Sequence, residues 1–394
     1  MKGFWFKGVA SGIKKDGKKD IGLICSEEAA SAAALFTTNK VVAAPVVLGR
    51  ERIRSGRCQA VVVNSGNANC FTGEGGMADA LETARLAGQH LHIPEALVMV
   101  SSTGVIGAPL PMDAVKQGVC DLADAARQGN IPGEGLEAFA RAILTTDTFT
   151  KVVTDTGTVQ GKPFTITGIA KGSGMIKPDM ATMLAFVCTD LDIPTALLNT
   201  CLKKACDQSF NRISVDGDTS TNDTVLALAN GMSGASLAEG DDIEPFQRML
   251  DRLLFDLAKM VVKDGEGATK VVKITVRGAK SPSDALKVAH AISHSNLVKT
   301  AIYGEDPNWG RITAAAGRSG AEVDPDLIDL FFEEVPLVEK GQWQGKEAEK
   351  EAARIMKNDE MEIVIDLNLG AFTDFYLFCD FSEDYVRINA DYRS

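Results

Sequence analysis

The chain reads as an α/β protein carrying a separate C-terminal α+β unit. Three observations predict it. Short runs rich in Val, Ile, Leu and Thr alternate with helical stripes, the stripes keep a 3.6-residue period, and the character shifts after Gly278. At 394 residues the chain is too long for one compact core and suggests about two or three domains. We expect a core over 1–280 and a C-terminal unit over 281–394.

The strand-like runs cover 59–64, 96–101, 162–170, 183–190, 223–229 and 270–276, each bounded by Gly, Asn, Asp or Pro. Between them, 77–92 sets Met77, Leu81, Ala84 and Gly88 on one stripe. The stretch 194–209 repeats Leu198, Leu202, Ala205 and Ser209 in the same way. The strongest helix spans 244–264, with Phe246, Leu250, Leu253, Leu257, Met260 and Val261. Beyond Gly278, the Ser-Pro-Ser-Asp at 281–284 is a capped helix start. A charged helix follows near 346–357. Three strand-like runs then close the chain, at 362–369, 373–379 and 385–391.

Composition removes several functions. Apolar content of 45% and charged content of 24% are those of a soluble globular protein. A net charge of −12 argues against nucleic acid and anionic membrane surfaces, both of which need a basic face. No apolar run approaches the ~20 residues of a membrane span. The first twenty residues lack a continuous apolar segment, so no secretory signal is expected. Eight Cys without CxxC pairs read as reduced thiols, and the cytoplasm is the expected compartment.

Most familiar chemistries fail on spacing. His290 and His294 stand four apart, but Ala-Ile-Ser between them omits the Glu of a zinc HExxH helix. The acidic run 216–223 places Thr221 where a calcium loop needs Gly. Gly172-Ser173-Gly174 is neither a Walker loop nor GxGxxG, and GMSGA around Ser233 misses a nucleophile elbow by one residue. With four His in all, no His-based triad stands out.

One segment is more informative, KGSGMIKPDMATMLAFVCTD at 171–190. A Gly-rich turn and Pro178 lead to Thr182 at the mouth of an apolar run. Thr there is read either as β-propensity or as a nucleophile on flexible backbone. Other segments stand beside it: Phe36-Thr37-Thr38-Asn39 with Ala43-Ala44-Pro45-Val46, and Asn64-Ser65-Gly66-Asn67-Ala68-Asn69. Ser102-Thr103-Gly104-Val105-Ile106-Gly107 and Thr145-Thr146-Asp147-Thr148 follow, then the run 214–223 and Asp264-Gly265-Glu266-Gly267-Ala268-Thr269. Together they resemble the ornithine acetyltransferase family, the self-cleaving Thr-nucleophile enzymes of arginine biosynthesis, over essentially the whole chain.

The resemblance implies a fold of two β-sheets between helical layers, with the C-terminal unit completing the substrate site. It implies scission between Ala181 and Thr182 into fragments 1–181 and 182–394 that stay together as an α2β2 heterotetramer. Thr182 is then the nucleophile, and its own α-amine, with an ordinary pKa of roughly 7.7–8.0, is the base. Thr103 and Gly104 are implied as the oxyanion pair. Thr145, Lys171, Thr182, Glu266, Asn389 and the terminal Ser394 are implied as substrate contacts. The family usually ends in Thr, and positions 177 and 179 here carry Lys and Asp where small or neutral residues are common. The implied reaction moves acetyl from N-acetylornithine to glutamate, releasing ornithine, with no metal or cofactor. Acetyl-CoA is a further donor if the chain is bifunctional. A self-cleaving aminopeptidase or amidase, with water as acceptor, is the rival reading.

Overall fold

The computed structural model describes residues 1–127, 134–177 and 183–390. The chain divides into two compact units, one of 1–211 with 218–261, the other of 212–217 with 262–394.

The first unit is built on one mixed sheet. In chain order its elements are β1 (Phe4–Val9), β2 (Ile21–Phe36), α1 (Ala44–Arg52), β3 (Arg57–Asn67) and α2 (Gly73–Leu91). β4 (Val98–Val105), α3 (Met112–Arg127), α4 (Glu134–Ala142), β5 (Lys151–Val159), β6 (Lys162–Lys171), β7 (Leu184–Thr189) and α5 (Thr195–Asp207) follow. After β8 (Ile213–Ser214), which belongs to the other unit, come β9 (Thr224–Ala229) and α6 (Glu244–Lys263). The strand order is β4-β3-β2-β9-β7-β6-β5, with β1 on the free flank of β2.

Alternation along β3 shows why helices cover both faces. Val61 and Val63 join a core with Phe139 and Ile143 from the α4 region. Ala60 and Val62 point the other way, against Ala80, Ala84 and Ala87 of α2 and Val115, Val119 and Leu122 of α3. On β6, Gly168 has no side chain, and a Cβ there would lie 2.5 Å from Leu253 and 2.7 Å from Leu257. The apolar stripe of α6 therefore packs directly on the sheet.

β2 escaped the sequence reading because its Ala-rich second half and Glu27-Glu28 pair lack strand alternation. A register shift between Cys25 and Ala30 splits it, so Ile21–Cys25 pairs with Ala60–Asn64 of β3 and Ser31–Phe36 with β9.

The second unit holds a second mixed sheet of order β13-β12-β11-β14-β10-β15-β8. Its elements are β10 (Val271–Ala279), α7 (Pro282–Ser293), α8 (Asn296–Tyr303), α9 (Trp309–Gly317), β11 (Asp329–Phe332), β12 (Val335–Glu339) and β13 (Gln342–Trp343). α10 (Lys346–Ile355), β14 (Glu360–Asp366), β15 (Phe372–Cys379) and α11 (Glu383–Ala390) complete it. Val272, Ile274 and Val276 face α7 to α9 in one apolar core. Lys273 on the opposite face pairs with Glu362 at 3.0 Å. The two sheets expected of the α/β fold are present, one in each unit.

Two expectations need correction. β10 pairs with β14 and β15, so it belongs with the C-terminal unit, and the division falls near residue 262 rather than 280. The run 385–391 is not a strand, since α11 covers Glu383–Ala390. Ser382 Oγ accepts the Tyr385 N–H at 3.4 Å, Glu383 and Asp384 occupy the first turn, and Arg387 pairs with Asp384 one turn on. With Val386 59% exposed, the Tyr-Val-Arg-Ile alternation has no sheet to bury against.

Candidate active site

Thr103 and Gly104 lie at the end of β4, in parallel register with Ser65 and Gly66 of β3. Gly104 has φ of +135°, and a Cβ there would stand 2.3 Å from the Gly66 carbonyl carbon. Only Gly fits that turn. Buried amides hold its surroundings. Asn64 Oδ1 accepts Ser102 Oγ at 2.6 Å, and Asn64 Nδ2 donates to Asn67 O at 2.8 Å. Asn222 Nδ2 donates to Ala68 O at 2.6 Å and to Ser102 O at 2.8 Å.

Thr182 and Ala181 lie outside the described residues, as does Ser394. The residues that follow Thr182 are described. Thr224 N–H donates to Met183 O at 3.0 Å, and Leu184 stands in register with Lys171 on one side and Thr224 on the other. Thr219 Oγ1 donates to Lys177 O at 3.2 Å. The segment 219–224 thus grips the carbonyl ahead of Thr103, the carbonyl after Thr182 and a carbonyl five residues before it.

Lys171 closes β6 and is 6% exposed. Its ammonium donates to Thr145 Oγ1 at 3.0 Å and stands 3.6 Å from Asp147 Oδ2. Asp147 is the hub of this cluster. Oδ1 accepts Lys151 Nζ at 2.8 Å and Gly172 N at 2.6 Å, and Oδ2 accepts Thr145 N at 3.0 Å. Burial alone pushes this carboxyl up, but Lys171 and Lys151 outweigh it and hold it well below the usual carboxylate range.

Lys14, which the sequence reading also missed, links this cluster to the Gly104 turn. Its stem packs where a Cβ on Gly66 would come within 3.2 Å. Its ammonium donates to Leu144 O at 2.6 Å, next to Thr145, and to Lys19 O at 3.0 Å. Burial is the main cause lowering its pKa, with Asp20 pulling the other way and Lys171 adding to the depression. The loop that carries it is wound on Asp20, whose carboxylate accepts from Ser11 N, Gly12 N and Lys14 N within 3.0 Å.

In the second unit, Glu266 is 8% exposed and Asn389 Nδ2 donates to its Oε2 at 2.8 Å. Two anchors fix them. Asp380 accepts Thr269 N at 2.8 Å and Thr269 Oγ1 at 2.6 Å, and Ser382 Oγ donates to Gly267 O at 2.6 Å. Ser382 thereby ties the Glu266 turn to the first turn of α11. His290 and His294 stack at 3.9 Å against the edge of Tyr376, a packing arrangement. No cluster of metal-ligating side chains occurs among the described residues. Among those residues, too, no helix is long and apolar enough to cross a membrane.

The sequence comparisons with known proteins agree over the full length. The model of the ArgJ family matches residues 5–394. The arginine biosynthesis bifunctional protein ArgJ of Geobacter sulfurreducens is 50% identical over 396 residues, covering all of both chains. The glutamate N-acetyltransferase of Methanocaldococcus jannaschii is 48% identical, over 98% of this chain and 97% of its own. Among solved structures, the ArgJ protein of Bacillus halodurans aligns with 41% identity and a TM-score of 0.51, over 53% of this chain and 99% of that one. The chain belongs to the ArgJ family.

Proposed function

We propose that this chain is a glutamate N-acetyltransferase of arginine biosynthesis, acting in the cytoplasm. The observation that carries the reading is the grip of Asn222 and Thr224 on Ser102 O and Met183 O. It fixes the neighbour of Thr103 and the neighbour of Thr182 to one three-residue segment. Full-length relatives at 48–50% identity bear the corresponding names.

In this mechanism the chain cuts itself between Ala181 and Thr182, and fragments 1–181 and 182–394 remain associated as α2β2. The new α-amine takes the proton of the Thr182 hydroxyl, whose oxygen attacks the acetyl carbonyl of N-acetylornithine. Thr103 and Gly104 stabilise the oxyanion. Ornithine leaves with a proton on its amine, and the amine of glutamate then takes the acetyl group from the Thr182 ester. Thr145 and Lys171 receive the substrate carboxylate, and Glu266, Asn389 and Ser394 are further ligands. Acetyl-CoA serves as a second donor if the chain is bifunctional.

The test is deacylation of the acetyl-enzyme with and without glutamate. Faster release with N-acetylglutamate as product is expected. Release of acetate at a rate indifferent to glutamate identifies an amidase instead.

A further inference from the structure

The segment 64–70 of the first unit holds the Thr103–Gly104 turn from outside, at its entry and at its exit. At the entry, Asn64 Oδ1 accepts Ser102 Oγ at 2.6 Å. Past the turn, Ala68 N donates to Val105 O at 2.9 Å, and Gly107 N donates to Cys70 O at 3.0 Å. Asn67 supplies the last grip. Its Nδ2 donates to Ala108 O at 3.1 Å and to Pro109 O at 3.0 Å, while its Oδ1 accepts Asn69 N at 2.8 Å. The residue is 5% exposed, and every donor of its amide has a backbone partner. Asn67 also abuts the turn directly. Its backbone N lies 2.5 Å from where a Cβ on Gly104 would stand, and it is in register with Thr103 and Val105.

Elementary chemistry explains why this turn needs an outside support. Pro109 and Pro111 lack N–H groups, so the chain leaving the turn has more carbonyls than donors. The donors of an oxyanion pair, for their part, must stay free for the substrate and cannot also pin the backbone. Position therefore has to come from a neighbouring group. Asn67 provides it at the exit, as Asn64 does at the entry.

We propose that Asn67 is a positioning residue for the oxyanion site, setting the exit of the Thr103–Gly104 turn through its two donors to Ala108 and Pro109. The inference rests on the acetyltransferase reading, in which Thr103 and Gly104 stabilise the tetrahedral oxyanion. Asn67 touches no substrate in this account. It acts through the turn, so self-cleavage and acetyl transfer, which share that oxyanion pair, depend on it alike.

The experiment separates the donors of Asn67 from its acceptor in the full-length protein. Asn67→Asp keeps the acceptor for Asn69 N and removes both donors, whereas Asn67→Ala removes all three bonds. In Asn67→Asp, the self-cleavage rate and the acetyl-transfer kcat per cut chain each fall about tenfold, less than for deletion of an oxyanion donor, with KM for N-acetylornithine within about twofold. Asn67→Ala loses a similar factor in both rates. A role confined to the 67–69 turn predicts instead that Asn67→Asp keeps wild-type rates while Asn67→Ala loses them, and that result overturns the proposal. A raised KM with kcat unchanged overturns it as well. Should Asn67→Ala not fold, Asn67→Asp decides alone. Wild-type protein that neither cuts itself nor moves an acetyl group sinks the functional reading instead, before any variant is compared.

Discussion

Asn222 and Ser102 are joined by a 2.8 Å hydrogen bond from the Asn222 amide to the Ser102 carbonyl, although 120 residues separate them in the chain. The same amide donates to Ala68 O, and its oxygen accepts Thr221 Oγ1 at 2.6 Å. Both backbone bonds of its Nδ2 thus hold the chain around the Thr103–Gly104 step. Asn222→Ala orphans two buried carbonyls at about 1–3 kcal/mol each. Self-cleavage slows as the oxyanion pair loosens, and the uncut chain accumulates on denaturing gels. Wild-type cleavage kinetics in a folded Asn222→Ala protein would contradict this role.

Gly104 is the least replaceable residue of the site. At φ +135° a side chain is strained by about 1–3 kcal/mol before its collision with Gly66 is counted. Gly104→Ala is expected to lower the melting temperature by at least about 2 °C and to abolish acetyl transfer. Thermal unfolding and transfer rate, measured together, check both claims.

Asn389 supports a buried acid from an exposed helix end. Its loss costs Glu266 one charged hydrogen bond, about 1–2 kcal/mol, which appears as roughly 5–30-fold in kcat/KM with the cut unaffected. Asn389→Asp is expected to be worse, because it sets two carboxylates side by side. Steady-state kinetics of the two variants rank them, and the opposite order refutes the account.

Asp147 makes stability depend on acid. Its folded pKa lies below the ordinary 3.8, so the ionised form stabilises the folded chain. That contribution is complete above the unfolded value and is lost as pH falls through the folded one. Relative to Asp147→Asn, the wild-type advantage narrows by about 1 kcal/mol between pH 5 and pH 3. Denaturant unfolding across that range measures it, and a constant gap disproves the linkage.

Much of the scaffold was legible because burial imposes a period. α2, α5 and α6 carry 3.6-residue stripes, and β3, β6, β7 and β9 are short apolar runs between turn residues. The Ala-rich β2 was not, since its pairing with three strands replaces side-chain alternation as its cause. Nor was α11, where capping by Ser382 outweighs a strand-like alternation. Of the site, Thr103, Gly104, Thr145 and Lys171 were named only because the family resemblance implied them. Lys14, Lys151 and Asp380 were not. Lys14 and Asp380 bond to backbone 130 and 111 residues away, and Lys151 meets Asp147 four residues back across an irregular turn, so none of the three leaves a periodic signal.

The central claim is that one chain becomes two at Thr182. Intact mass of the purified protein under denaturing conditions tests it directly. The account predicts two fragments, the second beginning at Thr182, and a Thr182→Ala variant that stays whole. A wild-type preparation that remains a single 41.9 kDa chain contradicts it.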